Sequence, residues 1–361
     1  MALEERRLRA LSEALTEDVP SLIVTLPANI RYLLDAPALF DPGFSGPLFV
    51  CGAEAWLLVD GRYTAQAEAG GLPANVVEWS ESPWKSLRPI LDGAAIKRCG
   101  FEAAYMTVAQ YNQLKEVLDV ELTPARGLVE GLRVKKEPSE IDALAKAAKL
   151  GDEVFIKVLE SIKPGRIERE VAADIDCWLR RAGADGPSFE TIVAGGPNSA
   201  FPHTRAGERR LRAGDFVKLD FGGVFGGYHA DMTRTVVLGS ATEEQRELYE
   251  HVVEAEARAL AGLAPGVTGR EADALSRDYF VSIGKGDSFG HNLGHGVGLD
   301  VHEQPTLGPK SKTELEAGMV FTVEPGLYIP GFGGVRIEDM VVMCEHGIQV
   351  LTKSTKELLV V

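Results

Sequence analysis

Asp220 and Asp231 stand eleven residues apart, separated by the glycine-rich stretch Phe221-Gly222-Gly223-Val224-Phe225-Gly226-Gly227, which reads as the turn region of a hairpin. Both carboxylates can then lie on paired strands. Two further acids, Glu324 and Glu338, follow about a hundred residues later, and three of the chain's 7 histidines fall within His291-Asn292-Leu293-Gly294-His295-Gly296-Val297-Gly298-Leu299-Asp300-Val301-His302. Glycines in that segment rule out a stable helix and suit a loop whose backbone approaches a ligand closely. Period-two alternation puts Asp231 and Thr233 on one strand face, and likewise Arg336 and Glu338, which places a cation beside a carboxylate.

An internal repeat says how these residues meet. Pro164-Gly165-x-x-x-Arg169-Glu170 returns as Pro265-Gly266-x-x-x-Arg270-Glu271, a shift of 101 residues. Leu211-x-Ala213-Gly214-x-x-x-x-Leu219-Asp220-x-Gly222 returns as Leu315-x-Ala317-Gly318-x-x-x-x-Val323-Glu324-x-Gly326, a shift of 104. The period is too long for a solenoid, so a duplicated αβ half closing on its twin about a pseudo-twofold axis is expected. Asp220 and Glu324 become symmetry mates, with Asp231 and Glu338 following in parallel. Four converging carboxylates cannot all stay ionised without compensating cations, so the arrangement either raises their pKa values or binds metal.

Ahead of that unit, the first 125 or so residues alternate strand and helix patterns. Ser21 to Leu26 and Trp56 to Val59 read as strands, Leu3 to Leu15 and Thr107 to Leu118 as helices. Thr123-Pro124-Ala125-Arg126-Gly127 punctuates the pattern, and a long helix is expected after Pro138 with a cap at Ser139-x-x-Asp142. The predicted domains are 1–128 and 129–361. At 361 residues, 45% hydrophobic and 25% charged, the composition is that of a globular protein of two domains. A net charge of -15 argues against nucleic acid as a partner. The charged start and the lack of a long apolar run predict a cytoplasmic protein with no membrane partner. Cys51, Cys99, Cys177 and Cys344 form no C-x-x-C pair and are expected as buried free thiols.

Asp220-Phe221-Gly222, His229-Ala230-Asp231-Met232-Thr233-Arg234-Thr235, His291-x-x-x-His295-Gly296-x-Gly298, Val323-Glu324-Pro325-Gly326 and Val335-Arg336-Ile337-Glu338-Asp339 together resemble the five signature segments of the pita-bread metallopeptidases, in order and spacing. The similarity covers about residues 130 to 361. Ala28-Asn29-Ile30-Arg31-Tyr32-Leu33 and Asp60-Gly61-Arg62-Tyr63-Thr64 resemble the creatinase-type N-terminal domain, which methionine aminopeptidases lack. The fold class so implied is α/β (α+β), a small creatinase-like α/β domain followed by a duplicated pita-bread catalytic domain.

By this resemblance Asp220, Asp231, His295, Glu324 and Glu338 hold two divalent metal ions, and Glu324 doubles as proton shuttle. One imidazole among oxygen donors suits manganese, with cobalt or zinc as alternatives. Ion pairs of this kind sit about 3.5 to 4 Å apart and present a water to the scissile carbonyl. Similarity to the proline-cleaving members implies that His203 and His302 line a proline pocket, that His291 faces the developing oxyanion, and that Arg336 anchors a carboxylate or locks its neighbours. The implied activity is that of a Xaa-Pro dipeptidase (prolidase) acting on proline-containing peptides as a homodimer. The alternatives are a Xaa-Pro aminopeptidase, a metal-free creatinase-like hydrolase and a non-catalytic binding protein. The short N-terminal domain favours the dipeptidase, and the intact ligand set disfavours the last two.

Overall fold

The computed structural model describes residues 3–36, 38, 44 and 46–361. They divide into two compact units, Met1–Arg133 and Val134–Val361.

The first unit is a six-stranded mixed sheet whose order is Asn75–Trp79, Glu54–Asp60, Leu48–Cys51, Ser21–Val24, Arg98–Glu102 and Glu121–Ala125. Both pairings of Leu48–Cys51 are antiparallel and the other three are parallel. The strands expected at Ser21 and Trp56 form, as do the helices Leu3–Ala14 and Val108–Val117. Thr107 caps the second of these by accepting the Gln110 N–H at 3.2 Å. Ile23, Phe49, Leu58, Trp84, Leu87, Cys99 and Leu114 fill the core. Only Cys99 among the four cysteines is buried, and all four are free. Cys177 stands exposed on a helix, contrary to the expectation of four buried thiols.

The second unit carries the duplication. Each half runs helix, helix, then three antiparallel strands. In the first half these are Pro138–Ser161, Glu168–Ala182, Ile192–Gly195, Phe216–Phe221 and Met232–Val237; in the second, Glu243–Gly262, Gly269–Ser282, Gly294–Gly296, Val320–Val323 and Asp339–Cys344. The second of the three strands lies in the middle in both halves. The repeat extends to single hydrogen bonds. Gly165 N–H donates to Leu211 O as Gly266 N–H does to Leu315 O, each at 2.8 Å, and the two glycines hold φ of 92° and 90°, which only glycine adopts freely. The amphipathic helices bury their apolar faces in two separate cores, Val171, Ile175, Leu219 and Phe221 in one, Val252, Ala255, Phe321 and Val323 in the other. The long first helix starts two residues earlier than the cap expected at Ser139 implies. Glu137 is the N-cap, its N–H bonded to Glu140 at 2.9 Å, because Pro138 occupies the first helical position, where a missing N–H is harmless. No helix among the described residues is long and apolar enough to cross a membrane.

Where the Phe216–Phe221 strand passes into the short Gly223–Phe225 and Tyr228–His229 hairpin, Gly222 lies against the Ala230 carbonyl, and a Cβ there would overlap it. Gly222→Ala must push the two acid-bearing segments apart, so an overpacking loss of about 1–3 kcal/mol is expected from urea unfolding. An unfolding midpoint equal to that of the unaltered chain would refute the close approach.

Candidate active site

The duplicated strands bring the acids together at their ends. Asp220 is the last but one residue of Phe216–Phe221, and Glu324 follows directly on Val320–Val323. Asp231 and Glu338 each immediately precede the third strand of their half. The halves meet along this line. Glu338 N–H donates to Thr233 O at 3.1 Å, while Arg336 N–H donates to Thr235 Oγ1 at 3.2 Å, which in turn donates to Arg336 O at 3.0 Å.

Of the five residues expected as ligands, Asp231, His295 and Glu338 offer donor atoms within 4.8 Å of one another. Glu324 joins through His295, whose Nε2 lies 3.5 Å from Glu324 Oε1 and 3.6 Å from Asp231 Oδ2. Asp220 stands at the edge of the group, its Oδ2 in direct contact with Arg336 Nη2. Its charge is close enough to raise the carboxyls of Asp231, Glu324 and Glu338.

Burial and crowding act together on these acids. Asp231 and Glu338 are 5% and 2% exposed, and burial, then neighbouring carboxylates, hold both well above the usual range. Burial pushes Glu324 up to about 7 against the opposing pull of Arg336. One oxygen of Glu338 accepts the Thr233 hydroxyl at 2.7 Å; the other, Oε1, is buried with no hydrogen-bond partner. A buried orphan oxygen beside other acids and an imidazole is what a cation would complete. His295 Nδ1 lies 3.1 Å from Gly296 O, so a proton there leaves the Nε2 lone pair facing the carboxylates. The residues present therefore fit a divalent cation.

Arg336 organises the floor. Its Nε donates to Thr233 Oγ1 at 2.9 Å, Nη1 to Tyr328 OH at 3.0 Å and to Pro202 O at 3.1 Å, and Nη2 to Asp220. Of the two roles left open for Arg336, carboxylate anchor or lock, these contacts favour the lock, since each donor nitrogen already has a protein acceptor. Tyr328 OH lies 2.9 Å from His291 Nε2, and His291 Nδ1 lies 2.8 Å from Asn292 O. Burial and the charge of Arg336 take His291 down to about 3, so the ring is neutral. His302 sits against His295 with ring centroids 4.3 Å apart. His203 is exposed on the loop after the short Gly196–Ala200 turn, within the field of Arg336 and Asp220. Both are lowered first by burial. His251 bonds Tyr279 OH at 2.9 Å within the helix layer, away from the acids.

Two site residues escaped the sequence reading. Tyr328 carried no signal beyond following the Glu324-Pro325-Gly326 turn. Lys218 did carry one. It shares with Asp220 the site face of a strand whose other face, Val217, Leu219 and Phe221, is core. Its Nζ donates to Phe201 O at 2.5 Å and Pro202 O at 3.0 Å, and burial, then Arg336, pushes the amine down to about 6.

Known proteins share this organisation. Residues 142–345 match the model of metallopeptidase family M24, and residues 6–135 that of the creatinase/prolidase N-terminal domain. The chain is 37% identical to the Xaa-Pro dipeptidase of Pyrococcus furiosus over 98% of this chain and 100% of that protein. A solved Xaa-Pro dipeptidase from Bacillus anthracis superposes with a TM-score of 0.93 at 40% identity, covering 99% of each chain. An X-Pro aminopeptidase from Thermotoga maritima gives 0.88 at 31% identity over 95% of this chain and 98% of that one. With both family models matched and the duplicated strands meeting at their acids, the chain belongs to metallopeptidase family M24, its catalytic domain preceded by a creatinase/prolidase N-terminal domain.

Proposed function

We propose that the protein is a dinuclear metal-dependent exopeptidase that hydrolyses the Xaa-Pro bond of dipeptides. The observation carrying this reading is the buried meeting of Asp231, His295 and Glu338 around an unpartnered Glu338 oxygen. The proline preference is supported by relatives named Xaa-Pro dipeptidase over nearly the whole chain. Asp220, Asp231, His295, Glu324 and Glu338 are assigned as ligands of two divalent cations. When bound, such cations polarise the scissile carbonyl and make water a better nucleophile at neutral pH. The oxygen-rich donor set supports manganese, or cobalt, over zinc. A homodimer in the cytoplasm completes the proposal; the dimer rests on the family resemblance.

The chain's own groups then divide the work. Glu324, half-buried beside His295, takes a proton from the attacking water and delivers it to the proline nitrogen, a poor leaving group unless protonated. His291, with Tyr328 as its hydroxyl partner, is assigned to the side where charge develops on the carbonyl oxygen. His203 and His302, both neutral near pH 7, flank the proline. Arg336 holds Asp220 and the floor of the site in place.

One observation favours a second reading, a Xaa-Pro aminopeptidase. A dipeptide brings a free carboxylate next to its proline, and the two basic side chains described at the site, Lys218 and Arg336, donate to protein acceptors instead.

Hydrolysis of Ala-Pro and of Ala-Pro-Ala by manganese-loaded protein separates the two readings. The dipeptidase cleaves only the first, the aminopeptidase cleaves the second, and a chain that takes up no cation at all defeats both. Glu324→Gln should lower kcat by about 100-fold or more while the protein stays folded, as expected for loss of a positioned proton carrier; retained turnover would remove Glu324 from that role. The crowded acids also predict a pH effect. Their folded pKa values lie above the unfolded ones, so the metal-free fold holds protons that the unfolded chain releases, and its stability falls as pH rises from about 4 through about 7. Manganese replaces those protons and should raise Tm more at about pH 8 than at about pH 5. An equal increment at both would contradict the site as described.

A further inference from the structure

Lys218 is fully buried on the same strand face as Asp220, where a methionine of similar length would avoid the cost of desolvating an amine. Such a group is tolerated when its hydrogens are satisfied, and those of Lys218 go to two consecutive carbonyls, Phe201 O and Pro202 O. These are the two residues before His203. Pro202 O takes a second bond, from Arg336 at 3.1 Å, and the same guanidinium contacts Asp220. The segment from Phe201 to Gly207 is outside any helix or strand. Its first N–H reaches Asn198 O and its last reaches Glu168, and an exposed Arg205–Glu190 ion pair lies between. Among the described hydrogen bonds, those from Lys218 and Arg336 are the backbone ties in the interior of the loop. Lys218 cannot touch substrate itself, because its amine is buried beneath the carbonyls that it holds.

We propose that Lys218 is a positioning residue, which fixes the Phe201-Pro202 backbone so that His203 is presented to the proline side of the substrate. This rests on the reading of His203 as a substrate-binding residue given above. The lysine acts on the loop and through it on His203; the cation ligands are left as they are.

The test is a double-mutant cycle on the full-length, manganese-loaded protein with Ala-Pro or Ala-Pro-Ala, whichever it cleaves. Lys218→Met is expected to raise KM about tenfold, the scale of a slightly misplaced substrate contact, with kcat and metal content little changed. His203→Ala raises KM as well, and the double variant should match His203→Ala alone, because a loop that has lost its histidine gains nothing from being held. Multiplying effects, or an unchanged KM in Lys218→Met, overturn the proposal. Backbone hydrogen exchange over residues 201–207 gives a readout that needs no turnover. It should quicken in Lys218→Met, and equal rates refute the tie even if the protein cleaves neither peptide, an outcome that would count against the proposed activity instead. If Lys218→Met does not fold, Lys218→Gln, one bond too short to reach both carbonyls, should give the same pattern in weaker form.

Discussion

Mutual repulsion among Asp220, Asp231, Glu324 and Glu338 is the constraint around which the catalytic unit is arranged. Two like charges about 4 Å apart cost on the order of 4 kcal/mol even at the dielectric effective near a protein surface, and here Asp220, Asp231 and Glu338 are buried and Glu324 is half-buried, with Arg336 in contact with Asp220. The fold tolerates that cost only if protons or cations balance the charge. This explains features that would otherwise be unrelated: the carboxyls held above their usual range, the Glu338 oxygen with no hydrogen-bond partner, and an imidazole presented with its Nε2 toward the acids.

Holding the acids in register falls to two buried arginines. Arg336 ties Asp220 to Thr233 and to the Pro202 carbonyl, so the position of a carboxylate and that of the His203 loop share one guanidinium. Arg234 does the same on the far side of the strands. It is 1% exposed and donates to Glu338 O at 2.5 Å, to Asp339 Oδ1 at 2.6 Å and to Ser354 O at 2.8 Å. Asp339 is held below its usual range by Arg234 and Lys356 despite its burial, and Thr352 donates to it at 2.7 Å. The segment 352–356 therefore braces the strand that begins beside Glu338.

Much of this was legible in the chain because it is written twice. The 101- and 104-residue shifts predicted two equivalent halves, and matched hydrogen bonds at Gly165 and Gly266 show the equivalence down to the backbone. Period-two alternation correctly associated Arg336 with Glu338, which share the Thr233 hydroxyl. Lys218, two residues before Asp220, falls under the same rule but was passed over, and a lone lysine in an apolar strand gives no hint of its acceptors, because backbone carbonyls of a loop leave no trace in residue identity. The bracing by Ser354 and Thr355 carbonyls was hidden for the same reason. The cap at Glu137 was misplaced because the Ser139-x-x-Asp142 pattern ignored what a proline does to the residue before it.

Symmetry supplies the acids but not the chemistry. Asp220 and Glu324 are equivalent by the repeat, and so are Asp231 and Glu338, yet Asp220 is in direct contact with Arg336 while Glu324 meets an imidazole and a threonine hydroxyl 3.4 Å away. The two mates therefore face different partners. Burial holds Glu324 up to about 7, while a guanidinium that never deprotonates stays fixed against Asp220. Divergence between equivalent positions, through the second half's His295 and the placement of Arg336, is what gives a cluster of carboxylates related by symmetry two unlike sides, one against a permanent cation and the other against an imidazole.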